Sequence, residues 1–393
     1  FEKEYEGYMG NWGDTMDYWY HRAAIVMWQE ADHYNALLEF NPAKVIKELL
    51  AQLKVLEKGQ LAELVRHLLK DWSGLNHEAK SADYNQVLKL ANEVDDADSA
   101  YALLEKLDNK AFSVSSVSQL IKLEKTYGAA WCINVLKNWH TDRSYQKDAV
   151  TIDDLDKIIK RFCSAKESTG SELTDWMLIH QWQVLQTRNE IKLEHCQTAQ
   201  LLEQADEQLQ DAKELINALL VCPNQLIHDA LIPYLLAHES LYPSVELVNM
   251  LLSFKPDYQV QDLAHGLYHQ ALQKLYERLS EQVQEGVRPS NDWSIMDPNH
   301  CSCSDCQDLN IFLQSKNTQE KVWPLNKDRR MHIHRTIDAM RLPVTHQTQR
   351  TGSPHKLVLI KTSELFSRDK KQFKKITAIV KLLTESGLIH NEK

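Results

Sequence analysis

Residues 41–72 read NPAKVIKELLAQLKVLEKGQLAELVRHLLKDW. Asn41 followed by Pro42 signals a helix start: an Asn side chain caps free helical N–H groups, and Pro has no N–H to leave unpaired. Val45, Ile46, Leu49, Leu50, Leu53 and Leu56 recur at spacings of three and four, so they share one helical face. Lys58-Gly59 is the expected end of that helix, and 59–72 its expected hairpin partner. The same period returns at about 82–94, 97–108, 114–126, 129–140 and 152–164, with Asp, Ser, Asn and Gly at the breaks. The run 171–221 contains no Gly or Pro and stops at Cys222-Pro223; helices at about 224–238, 243–254 and 259–285 follow. Helix after helix with short links predicts a mainly α fold. The expectation for 41–286 is an irregular α-solenoid of HEAT- or armadillo-like stacked pairs; with no clean repeat consensus, a compact helical bundle is the alternative.

The flanks differ in character. Residues 1–36 are rich in Tyr and Trp, and AAIVMW at 23–28 reads as a buried strand. A lone strand needs partners, so this is an orphan β segment. After Gly286 comes a loop-type stretch, VRPSNDWSIMDPNHCSCSDC, then a short helix (DLNIFLQS) and a basic helix (NKDRRMHIHRTIDAM). VTHQTQR and HKLVLIKT form a hairpin around 351–354, where Gly352 supplies a positive φ. A last helix at about 368–386 carries Phe373, Ile376, Ile379, Val380 and Leu383 on one face. Residues 287–393 are thus expected to be a small α+β module.

Composition excludes more than it identifies. Of 393 residues, 43% are hydrophobic and 25% charged, as in a soluble globular chain able to bury a core. Eleven Gly and ten Pro are too few for a collagen or a low-complexity linker. Neither GxGxxG nor GxxxxGK[ST] occurs, nor GxSxG, nor HExxH. The net charge of −10 is uneven: from Lys316 onward there are 17 Lys/Arg against 7 Asp/Glu. Such a basic end either attracts the acidic body or meets nucleic acid or an acidic protein. Seven Cys do not make the even, regular set of a secreted disulfide scaffold. Cys132, Cys163, Cys196 and Cys222 read as buried apolar thiols, and the compartment as reducing: intracellular, cytoplasmic, or nuclear in a eukaryote. No signal peptide opens the chain, and the longest uncharged apolar run, 215–227, is too short to span a bilayer. A first residue Phe rather than Met marks the chain as an expected fragment.

Chemistry concentrates in one place. His300-Cys301-Ser302-Cys303-Ser304-Asp305-Cys306 is followed by Met331-His332-Ile333-His334. Thiolates and imidazole are the ligands zinc prefers, four in number and tetrahedral. Cys303 and Cys306 have the C-x2-C spacing of a turn that presents two thiolates to one ion. Cys301 is a third candidate, and His332 or His334 a fourth, with His332 the expected ligand. The bland reading is three packed thiols and a solvated basic helix. The pairs His140/Asp142 and His390/Glu392 lie on no predicted strand and suggest no iron site. His265 and His269 share a helical face without a further ligand nearby. Arg329, Arg330, Arg335, Arg350, Lys356 and Lys361 form a candidate basic surface able to follow a phosphate backbone, although a solvated face explains such a run equally.

Two sets of residues carry a resemblance. Tyr8-Met9-Gly10-Asn11-Trp12-Gly13 followed by Trp19-Tyr20-His21-Arg22-Ala23-Ala24-Ile25-Val26-Met27-Trp28 is similar to a segment of large 2-oxoglutarate/Fe(II)-dependent oxygenases of the prolyl-4-hydroxylase-like kind. Those proteins continue into a long helical region. They end in a Cys-rich segment resembling CSCSDCQDLNIFLQS, an Arg-His helix like RRMHIHR and a hairpin like RTGSPHKLVLIKT, in the order found here. Trp12 and Gln29 depart from the pattern, which has Glu and Pro there. The resemblance implies that 1–36 is the end of an upstream oxygenase-like β domain. It also implies that the iron ligands and the 2-oxoglutarate-binding Arg precede Phe1, so that this chain alone is non-catalytic. Three functions are therefore expected: a scaffold that binds a protein partner or presents substrate; a brace for the catalytic domain of a protein (prolyl) hydroxylase; or a nucleic-acid-binding module at the basic end. One structural zinc is the cofactor expected here, with Fe(II) and 2-oxoglutarate confined to the upstream domain. No membrane and no small-molecule substrate is implied.

Overall fold

The computed structural model describes residues 42–52, 58–70, 81–140, 151–165, 171–195, 205–222, 224–254, 267–296, 301 and 303–389. The expected strand at 23–28, the motifs at 8–28, and Asp142, Cys196, His265, His300, His390 and Glu392 lie outside them. The described residues are mainly α, with fifteen α-helices and one three-stranded sheet. The chain divides into two compact units, Phe1–Trp139 and His140–Lys393.

In the first unit the helices are α1 (Pro42–Gln52), α2 (Lys58–Leu68), α3 (Ser81–Glu93), α4 (Ala97–Glu105), α5 (Val117–Tyr127) and α6 (Ala129–Trp139). A helix packs on the one two places along as well as on a neighbour: α1 on α3, α2 on α4, α3 on α5, α4 on α6. This is the contact pattern of stacked helix pairs, and it gives each helix two faces to bury. Val45, Leu49, Val87, Leu90, Leu120 and Leu136 are buried along these faces, all at most 2% exposed. Asp96 caps α4 by accepting from Ser99 N at 3.0 Å. Gly128, at φ +89°, ends α5 and lets α6 start at once. Trp139 donates from Nε1 to Leu104 O at 2.7 Å, and Tyr127 from its hydroxyl to Val94 O at 2.6 Å, so the polar tips of these two aromatic side chains are satisfied inside the stack. Lys58 and Gly59 open α2 instead of closing the preceding helix. Glycine costs least at a helix start, where the first N–H groups have no intrahelical partner.

The second unit begins with α7 (Leu155–Ser164), α8 (Ser171–His195), α9 (Ala205–Val221), α10 (Gln225–Ala237), α11 (Ser244–Leu252) and α12 (Leu267–Glu285). Helix α7 packs on α9, α9 on α11, and both α10 and α11 on α12. Asn189 of α8, buried, donates to Tyr242 Oη at 2.7 Å and Tyr234 Oη at 3.2 Å. Cys132 of the first unit is buried as expected, but Cys163 is exposed and Cys222 half-exposed. Cys163 is the next-to-last residue of α7, on the rim of an otherwise buried stripe of Ile158, Ile159 and Phe162.

The C-terminal part of this unit has its own buried cluster, which includes Ile295, Cys306, Leu309, Phe312, Leu325, Ile333, Ile337, Leu357 and Leu359. Its elements are α13 (Ser304–Gln314), β1 (Glu320–Pro324), α14 (Lys327–Ala339), β2 (Val344–Gln349), β3 (Lys356–Lys361) and α15 (Glu364–Glu385). The expected hairpin is β2–β3, turned at Gly352 with φ +85°, and β1 adds to the other edge of β3. Helix α15 buries Ile376, Ile379 and Leu383 as expected and packs on α11 and α12. Helix α13 starts four residues earlier than DLNIFLQS suggests, because Cys303 caps it. No helix among the described residues is long and apolar enough to cross a membrane.

The alternation of β3 turns Leu357, Leu359 and Lys361 to one buried side. Lys361 has no exposed surface; its Nζ donates to Leu313 O at 2.9 Å and Ser315 O at 2.8 Å and lies 4.8 Å from the Phe312 ring centre. It therefore completes the C-terminus of α13, whose last carbonyls attract a cation. Burial pushes its pKa down from 10.5 to about 8. Between these values the unfolded chain holds a proton that the folded chain has released, so folding gains from rising pH. The stability of the wild type relative to Lys361→Met is expected to rise from pH 8 to pH 10.5. Urea unfolding of both proteins across that interval checks it, and a constant difference contradicts it.

Candidate metal centre

The first turn of α13 brings two of the four expected ligands together. Cys303 is the N-cap, and its Sγ accepts from Cys306 N at 3.4 Å, the position usually filled by a Ser or Asp oxygen. Cys306 follows one turn on and is fully buried; Cys301 is half-buried just upstream. The amide of Cys306, helped by the neighbouring thiols and His332, holds the exposed Cys303 thiol down at about 7. A helix N-terminus favours a thiolate in the same sense.

The imidazole comes from α14. His332 Nε2 lies 3.6 Å from Cys301 Sγ, 3.4 Å from Cys303 Sγ and 3.1 Å from Cys306 Sγ. The four donor atoms all lie within 4.8 Å of one another, and this is the one such cluster of His, Cys, Asp or Glu among the described residues. Zinc bonded tetrahedrally at its usual lengths would separate a sulfur and a nitrogen by about 3.6 Å. The donor set and its spacing therefore fit one tetrahedral ion.

An ion pair sets the register of the two helices. Asp305 of α13, 9% exposed, receives Arg329 of α14 in a fork, with Nε 2.8 Å from Oδ2 and Nη2 on Oδ1. Arg329 holds the Asp305 carboxyl below its usual range. Arg329 stands three residues before His332, so both project from one side of α14. The sequence alone suggests a basic surface for Arg329 and no role for Asp305. The available signal was an acid inside the CSCSDC turn and an Arg one helical turn before the His.

His334 does not join the cluster. Two residues along a helix amount to about 200° of rotation, so it leaves α14 on the far side and meets β2. The basic surface is also reduced. Lys361 and Arg330 are interior: the Arg330 guanidinium donates to Leu325 O and His355 O, tying α14 to the end of the hairpin. A cation spent on buried carbonyls reaches no external phosphate. Arg335, Arg350 and Lys356 are exposed.

In chelator-treated, reduced protein, alkylation of Cys303 is expected to rise with pH around a midpoint near 7, because the thiolate is the nucleophile. Cys132, buried and raised to about 12, is expected to stay unreacted over the same range. Peptide mapping after iodoacetamide treatment at stepped pH reads both, and equal labelling contradicts the geometry. Compared with family models, with curated proteins and with solved structures, the chain finds no match in any of the three.

Proposed function

We propose that this chain is a non-catalytic helical scaffold whose C-terminal α+β module is fastened by one structural zinc ion. In this reading it serves a 2-oxoglutarate/Fe(II) oxygenase-like protein by holding a protein partner or presenting a substrate. The observation that carries the zinc is the convergence of Cys301, Cys303 and Cys306 on His332 Nε2. Four protein donors close a tetrahedral shell and leave no position for water or substrate, which marks a structural rather than a catalytic ion. Thiolates of this kind suit a reducing, intracellular compartment. The stacked helix pairs of the first unit support the scaffold, since such arrays present extended surface to a partner. The oxygenase connection is supported by the residues at 8–28, 301–315, 329–335 and 350–362.

Elemental mass spectrometry on reduced protein purified without chelator is expected to find one zinc per chain. Cys303→Ser is expected to lose it and to melt about 5–10 °C lower, because the energy of binding a structural zinc is folding energy. Cys163→Ser, at an exposed thiol outside the cluster, is expected to keep both metal and melting temperature. Absence of zinc from the wild type, or iron in its place, overturns the reading.

A further inference from the structure

Apart from the Cys3His cluster, two more thiols meet. Cys163 is the next-to-last residue of α7, and Cys222 stands just past the last turn of α9, its N–H still bonded to Ala218 O at 2.9 Å. The two thiols are hydrogen-bonded to each other. Cys222 Sγ in turn donates to Thr174 Oγ1, in the first turn of α8, at 3.6 Å. Cys163 is exposed and Cys222 half-exposed, so the pair lies within reach of a small solute.

The course of the two helices explains the meeting. Helix α7 packs on α9, and Asp156 at the start of α7 lies within electrostatic reach of Glu214 of α9. Cys163 follows Asp156, and Cys222 follows Glu214, by about two turns of helix each, about 10–12 Å of rise. The helices therefore run parallel, and their C-termini arrive together with one cysteine on each. We propose that Cys163 and Cys222 are a reversible redox pair, which a peroxide converts to a disulfide that latches the ends of α7 and α9.

The chemistry balances with hydrogen peroxide as the oxidant. The Cys163 thiolate attacks one peroxide oxygen; an S–O bond forms, the O–O bond breaks and water leaves. The Cys222 thiolate then attacks the Cys163 sulfur; the S–S bond forms, the S–O bond breaks and a second water leaves. Two thiols have lost two electrons and two protons, and one peroxide has taken up both. Burial and the neighbouring Cys222 hold the Cys163 thiol above its ordinary range. Both sulfurs also lie at helix C-termini, where the dipole opposes a thiolate. The first step is therefore slow near neutral pH and quickens as pH rises, so the latch answers sustained oxidant rather than a brief pulse. In a reducing compartment, exchange with a small dithiol reopens it. The bond closes a loop of about 60 residues, which contains all of α8 and so restricts the unfolded chain strongly. The pair shares no residue with the Cys3His cluster and does not depend on what that cluster holds.

The test treats the reduced whole chain with excess hydrogen peroxide, blocks remaining thiols with iodoacetamide under denaturing conditions, and maps peptides without reduction. One linkage between Cys163 and Cys222 is expected, lost on adding dithiothreitol. It is expected to form at least about tenfold faster at about pH 9 than at about pH 7, because the thiolate is the nucleophile. The oxidised wild type is expected to melt about 5 °C or more above Cys163→Ser treated alike, with the difference gone after reduction. Cys163→Ser retains Cys301, Cys303 and Cys306, so oxidation of those residues moves both proteins equally. The peptide map of the wild type needs no variant to fold. Recovery of Cys163 and Cys222 as separate alkylated thiols, linkage of either to a different cysteine, or a Cys163–Cys222 linkage that leaves the melting temperature unmoved overturns the proposal.

Discussion

Lys361 places an ammonium group against the last carbonyls of α13, and the geometry of the Cys3His cluster depends on that contact. Helix α13 has eleven residues, about three turns, and offers little intrinsic stability of its own. It is held at its C-terminus by Lys361 on Leu313 O and Ser315 O. Its final turn also accepts backbone bonds from the preceding loop, Ile295 N to Leu313 O at 2.8 Å and, just beyond it, Trp293 N to Lys316 O at 2.9 Å. At its N-terminus the Cys303 cap and the Asp305–Arg329 fork do the same work. Both ends therefore carry charge of the sign opposite to the helix dipole. Only a helix fixed in this way keeps Cys306 and His332 in one place.

Burial follows the same logic. Cys306 lies under α14 in the buried cluster, Cys301 and His332 are half-buried, and Cys303 reaches solvent. The cluster is thus roofed by protein on one side and open at the cap. A bound ion would sit at the edge of the apolar core, tying the loop before α13 to the middle of α14. That loop carries Arg288, paired with Asp369 of α15 and donating to Ser294 O, so the restraint passes on to the last helix. The module is braced by ionic contacts between several of its elements, among them α13 with α14 and the loop before α13 with α15.

Much of this was legible in the sequence. The 3.6-residue period placed α3, α6, α10 and α14 to within about two residues, and the hairpin was set by Gly352 between two alternating runs. The C-x2-C spacing and the HIH triplet named the cluster. Two features were hidden, each for a physical reason, and a third, why His332 rather than His334 completes the cluster, has its cause in the tertiary structure. Strand β1 (EKVWP) has only five residues, ends in Pro and gains its identity from pairing with β3, a contact distant in sequence. The start of α13 was missed because a thiol replaced the usual oxygen cap. The choice of His332 over His334 turns on the rotation of α14, which Arg329 and Asp305 fix across 24 residues of chain.

Charge was the feature that sequence misrepresented most. An excess of cations after Lys316 suggested a surface, but formal charge counts groups without regard to where they point. Lys361 falls in the inward register of β3 because the two preceding inward positions are Leu357 and Leu359; alternation, not polarity, decides its side. Arg330 likewise occupies a core-facing position of α14, three residues before Ile333. Others are taken up by neighbours: Arg329 by Asp305, Arg368 by Glu364, Lys375 by Glu246 and Lys381 by Glu385. The interior cations neutralise carbonyls at helix and strand ends that would otherwise be buried unpaired, at a cost of about 1–3 kcal/mol each. Part of the positive charge thus belongs to the interior of the fold, where it supports the two helices that bring the cysteines and histidines together.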